Sequence, residues 1–229
     1  MTVTIRPWAR DELVWQFTHH QPPYFRYGSE GEHAGTNYAY VDPFPGYAHD
    51  EAPALETLER LVAFWPSKYD LMVWLSPFEF VGRTNGYSDR SWSYGDDRKP
   101  THHIVLSGKR IPPHPAMTRY LVAHEYGHHV EWWLNNELYH DDRYPHGGGN
   151  EERLLDEYLK LRPGASRAFG TGGIWHKSVG EIFACDFRSF VGIETEFWPH
   201  HGVPRFDESP EVQAWWRETH TKIQPAGCC

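Results

Sequence analysis

The chain has 229 residues, with 31 acidic against 22 basic side chains and a formal net charge of −9. Without a basic run, neither nucleic acid nor an anionic membrane is an expected partner. Its three cysteines, Cys185 and the adjacent pair Cys228 and Cys229, form no disulfide framework and point to a reducing compartment.

The length suits one domain over 1–229, with a loop-rich N-terminal segment to about residue 52 and a frayed tail from about 224. The start, MTVTIRPWARDELVWQF, lacks the apolar stretch of a signal peptide, and no segment reaches membrane-spanning length. A cytoplasmic protein is expected, with a virion or leaderless export as the other settings.

Residues 17–52 are dense in Gly, Pro and Tyr without a sustained period, and read as ordered loop with one short strand. PALETLERLVAFW (53–65) spaces Leu55, Leu58, Leu61 and Val62 at helical intervals, with Pro53 opening the helix. DLMVWLS (70–76) and HHIVLSG (102–108) are short apolar, β-branched runs and read as strands. Between them, 82–100 carries an Asn-Gly pair and many breakers and reads as loop. Pro112, Pro113 and Pro115 suit the first turn of a helix running to about Asn136. A Gly-rich loop (140–150) separates it from a charged helix near 151–161, and helices follow at 178–190 and 209–223. Strands first and helices after predict an α+β arrangement, a small sheet packed on the long helix.

That long helix contains RYLVAHEYGHHVEWW (119–133). Residues four apart lie one above the other on a helix, so His124 and His128 can present two imidazoles to one zinc ion at about 2.0–2.1 Å. Glu125 is turned about 100° away, in reach of a water on the metal without itself ligating. Zinc lowers the pKa of such a water towards 7, and the carboxylate takes its proton as the oxygen attacks a carbonyl. With sixteen histidines the pattern H-E-x-x-H would arise by accident in roughly one such chain in ten, so context decides. Met117, Leu121 and Trp132 fall on the same stripe as the histidines, which places the pair on a buried face. Gly127 in mid-helix costs about 1 kcal/mol against alanine, and makes sense where another backbone passes close by.

A catalytic zinc takes three protein ligands and leaves one position open. A metzincin would continue with Gly and His where Glu131 and Leu134 stand, and a peptide deformylase would need a cysteine upstream, where none occurs before Cys185. A gluzincin draws a glutamate from a later helix, and Glu181 in SVGEIFACDFR is the best candidate. Two facts compete with that role. Ser178-x-x-Glu181 matches a capping box, which would commit the carboxylate to the helix's own backbone. Glu151, Glu152, Asp156 and Glu157 are rival carboxylates on what reads as a solvated helix. Ala184 and Gly180, small residues beside Glu181, favour the ligand, because they would let its helix approach Gly127.

VAHEYGHHVE followed some fifty residues later by EIFACDFR resembles the zinc peptidases related to anthrax lethal factor and the Pro-Pro endopeptidases. The likeness covers two short segments, about twenty residues in all, with a weaker one upstream in NGYSD and HHIVLSG. It implies a zincin-like domain in which His124, His128 and Glu181 hold Zn2+ and Glu125 is the general base. Cys185 stands where many relatives carry Glu, and Ile174-Trp175-His176 where a tyrosine is usual. His176 is then the nearest donor for the developing oxyanion, with an ordinary loop histidine as the competing reading. Asp186 is either a carboxylate orienting a ligating imidazole or a plain surface residue. Arg188 could neutralise charge near Glu181, Cys185 reads as a small buried residue, and Trp132, Trp133 and Phe187 read as core.

Two functions follow. The first is a zinc endopeptidase acting on a protein or peptide, with the strand near 103–107 receiving the substrate as an added strand and the loop 146–149 moving as a lid. The second is a non-hydrolytic zinc-binding interaction module, for which Glu125 would have no use. Oligomeric state and cleavage specificity leave no trace in the sequence.

Overall fold

A computed structural model describes residues 3–7, 40–45, 47–65, 70–75, 78–81, 85–92, 100–138, 153–167, 175–193 and 198–223. The chain divides into two compact units, 1–126 and 127–229, and the division falls within one long helix.

The first unit holds the strands β1 (Val3–Pro7), β2 (Tyr40–Pro45), β3 (Asp70–Leu75), β4 (Phe78–Val81), β5 (Gly86–Trp92) and β6 (Pro100–Leu106), with helix α1 (Glu51–Phe64) between β2 and β3. Four strands form one mixed sheet in the order β1-β3-β6-β5, in which β1, β3 and β6 run parallel and β5 antiparallel; β2 and β4 pair separately. Leu71, Val73, Trp74 and Leu75 of β3, and Ile104, Val105 and Leu106 of β6, are all buried. Unbroken apolar runs of this kind mark central parallel strands covered on both faces. α1 adds Ala54, Leu58 and Leu61 to this core.

Helix α2 (Pro115–Leu138) starts on Pro115, whose missing N–H is no loss in a first turn. Its N-terminal half is pinned by polar contacts. The Tyr126 hydroxyl donates to the Trp65 carbonyl at 2.7 Å, and Thr118 hydrogen-bonds His49 Nδ1 at 2.8 Å, both buried. Burial and the nearby Lys109 charge lower the His49 pKa to about 4, so its ring is neutral here.

In the second unit, α3 (Arg153–Leu161), a 3-10 turn (Trp175–Lys177), α4 (Val179–Phe190) and α5 (Pro210–Ile223) follow the remainder of α2. α4 is buried nearly all round, from Ile182 to Arg188. Phe183 and Phe187 of α4 pack on Trp216 of α5, and Phe183 also packs edge-on against Tyr158 of α3. The architecture is α+β, as the sequence predicts. Among the described residues no helix is long and apolar enough to cross a membrane.

The segment 82–100 is not loop throughout, because β5 occupies 86–92. Nor does Asn85-Gly86 close a hairpin. The strands on either side of it, β4 and β5, belong to different sheets. Instead the Asn85 carbonyl accepts from Ser107 N–H at 2.9 Å and extends the β5–β6 ladder. α1 begins at Glu51, two residues before Pro53. Met117 is exposed and does not share the buried stripe, while Leu121 and Trp132 do. Residues 17–39 and 140–150, expected as loops, with the expected lid 146–149 and the tail 224–229 with Cys228 and Cys229, lie outside the described residues.

Candidate metal centre

His124 and His128 stand one turn apart on α2, and Glu181 is the third residue of α4. The donor atoms of these three lie within 4.8 Å of one another, and this is the one such group of three or more His, Cys, Asp or Glu among the described residues. His128 Nε2 is 3.7 Å from Glu181 Oε2. Two donors each 2.0–2.1 Å from a tetrahedral zinc would be about 3.3 Å apart, so this pair needs little adjustment. Two imidazoles and one carboxylate are a donor set that suits zinc and leaves one position open. His124 is buried, whereas His128 and Glu181 are about a quarter exposed.

Packing explains why α4 can bring Glu181 here. A Cβ on Gly127 would lie 2.7 Å from Ala184 Cα and 2.9 Å from its carbonyl oxygen. Only glycine lets α2 and α4 approach so closely, the reason anticipated for a glycine in mid-helix. The capping-box alternative is not built. The Ser178 hydroxyl makes no capping bond, and the Ser178 amide donates to the Trp175 carbonyl at 3.0 Å.

Glu125 is buried, next to the first residue of β5. A Cβ on Gly86 would meet Glu125 Oε1 at 2.6 Å, so the absence of a side chain there is what admits the carboxylate. β5 is an edge of the four-stranded sheet, whereas β6 is paired on both sides, by β3 and β5. The strand near 103–107 therefore has no free edge to offer, and the terminal strand of the sheet among the described residues is β5, whose first residue meets Glu125.

Around these residues the ring of Tyr120 stacks parallel to that of His124, 6.2 Å between centroids. His128 Nδ1 lies 3.5 Å from Glu131 Oε2, a contact the sequence reading passed over. Its signal was available, since residues three apart on a helix are neighbours. His129, the next residue, is fully buried, and desolvation lowers its pKa to about 3, so it is a neutral core histidine.

Asp186 fits neither reading made of it. It is fully buried, and Arg162 lies 3.1 Å away while the Tyr158 hydroxyl donates to it at 2.6 Å. Arg162 also donates to Ser209 Oγ and to the Pro204 carbonyl, and Trp216 Nε1 donates to the Tyr158 oxygen. Burial raises the Asp186 pKa to about 7, against the pull of the Arg162 charge, the Tyr158 hydroxyl and the Arg188 charge. This is a knot that ties α3, α4 and α5 together. Arg188, also buried, acts on Asp186.

His176 sits half-buried on the 3-10 turn, outside the group of three, with its ring 6.4 Å from that of His201 and its carbonyl 3.0 Å from His200 Nδ1. Cys185, Trp132, Trp133 and Phe187 are buried, as predicted. On α3, Asp156 is exposed and pairs with Arg167, and neither it nor Glu157 joins the centre. Comparison with known proteins returned no matching family model, curated protein or solved structure.

Proposed function

We propose that the protein is a zinc-dependent endopeptidase of gluzincin type with a zincin-like arrangement, in which His124, His128 and Glu181 hold the metal. The observation that carries this reading is the conjunction of the three-donor group with a fourth residue, Glu125, that directly follows His124 and lies against Gly86, the first residue of β5. When bound, the ion supplies Lewis acidity and a water whose pKa falls towards 7. Glu125 accepts a proton as the water oxygen adds to the peptide carbonyl carbon. The same carboxylate then delivers that proton to the departing nitrogen as the C–N bond breaks. The edge of β5 holds the substrate backbone extended, through main-chain hydrogen bonds. His176, on the turn leading into α4, is the candidate donor to the oxyanion. A purely structural zinc site would take four protein ligands and leave Glu125 without a task.

The test is a digest of a proteome-derived peptide library with zinc-loaded protein, wild type beside Glu125→Gln. Cleavage by the wild type, reduced by a factor of about 10² or more in a variant that keeps its metal and fold, is the expected result. Equal cleavage by both would remove Glu125 from the mechanism. Zinc binding with no cleavage at all would favour the interaction module.

A further inference from the structure

The second unit contains a carboxylate, Glu131, that the mechanism above leaves unused. It lies one turn after His128 on α2, its side chain about one-fifth exposed. One of its oxygens, Oε2, is 3.5 Å from His128 Nδ1, the ring nitrogen opposite the one that points at Glu181. The same oxygen lies beside Gly180, where a Cβ would sit 3.4 Å from Oε2 and 4.0 Å from Oε1. Gly180 is the second residue of α4, so the carboxylate rests against the first turn of that helix. There the helix macrodipole favours negative charge.

We infer that Glu131 is the positioning residue of the centre: it accepts a hydrogen bond from His128 Nδ1–H and so leaves the Nε2 lone pair facing Glu181. The inference rests on the zinc reading for its purpose, though not for its geometry. A neutral imidazole carries one proton, and whichever nitrogen holds it cannot ligate. A carboxylate accepting at Nδ1 fixes both the tautomer and the ring plane before metal arrives, and makes Nε2 a better donor. Its seat on α4 gives it a second task. One side chain then sets His128 on α2 relative to the helix that carries Glu181.

The experiment uses the full chain with zinc as the only added ligand. Zinc affinity is measured by chelator competition for wild type, Glu131→Ala and Glu131→Gln. In parallel, nitrogen-15 NMR of the metal-free proteins in mildly alkaline buffer reads the His128 tautomer. Glu131→Ala is expected to bind zinc about 10- to 100-fold more weakly and to shift His128 towards the Nε2–H form. Glu131→Gln, whose amide oxygen still accepts from Nδ1–H, falls between the two and keeps the variant set informative if the alanine protein folds poorly. Wild-type affinity and wild-type tautomer in both variants would overturn the inference. If the wild type binds no zinc yet shows an Nδ1–H His128 that Glu131→Ala loses, the positioning stands and the zinc reading falls.

Discussion

Glu181 and Asp186 stand five residues apart on α4, yet their surroundings are opposite. Asp186 is fully buried, and its oxygens are met by Tyr158 and Arg162 within the same unit. Glu181 keeps about a quarter of its side chain exposed and approaches an imidazole at 3.7 Å, too far for a hydrogen bond. The first carboxylate has its charge compensated where it sits. The second is held close to donors of its own kind, an arrangement that makes chemical sense when a cation completes it. The difference teaches where to look for function on a buried helix: where side chains of ligating type bring their donor atoms to one point.

Mutation can break this contrast, and the largest effect falls on the structural end. Asp186→Ala removes one partner of a buried pair and leaves Arg162 uncompensated, so stability should fall by about 3–5 kcal/mol. Denaturant unfolding checks it, and zinc uptake by the protein that remains folded should be unchanged. A loss below about 1 kcal/mol would show that the knot does not hold the helices.

Gly127→Ala acts between the two ends. Its Cβ would meet the Ala184 backbone at 2.7 Å, and a backbone obstacle cannot swing aside. Overpacking of about 1–3 kcal/mol should outweigh the gain of about 1 kcal/mol in helix propensity. Zinc affinity should weaken with it, as α4 moves away from His128. Thermal unfolding and chelator competition on one preparation separate these readouts.

The smallest effect belongs to Ser178→Ala. A functioning cap would contribute about 0.5–2 kcal/mol. Since the hydroxyl caps nothing in this structure, the change should stay within about 0.5 kcal/mol and leave zinc binding intact. A larger loss would restore the capping-box account of Glu181.

How much of this was legible in the sequence depended on whether the signal was local. Helical spacing and the i, i+4 relation placed His124 and His128, and Gly127 with Ala184 announced the close approach that the structure contains. β5 was missed because Gly86-Tyr-Ser-Asp-Arg-Ser-Trp92 has turn-forming and polar residues throughout. Its strand character comes from pairing with β6, in which Tyr87 faces Val105 eighteen residues on, and no local pattern encodes that. Asp186 was misread for a related reason. Its partners, Tyr158 and Arg162, lie 28 and 24 residues earlier, and only tertiary packing makes it a buried residue. Glu131 is within reach of helical spacing, three residues after His128, although against a metzincin pattern it registers only as a mismatch.

Zinc content after exhaustive dialysis, compared between wild type and Glu181→Ala, tests the central claim most directly. The wild type should retain about one equivalent, held by three protein ligands. The variant should retain none, since two imidazoles are too few for a stable protein zinc site. Its metal-free form should unfold close to where the metal-free wild type does. Tight stoichiometric zinc in Glu181→Ala, with only its stability reduced, would contradict the account and place the third ligand elsewhere.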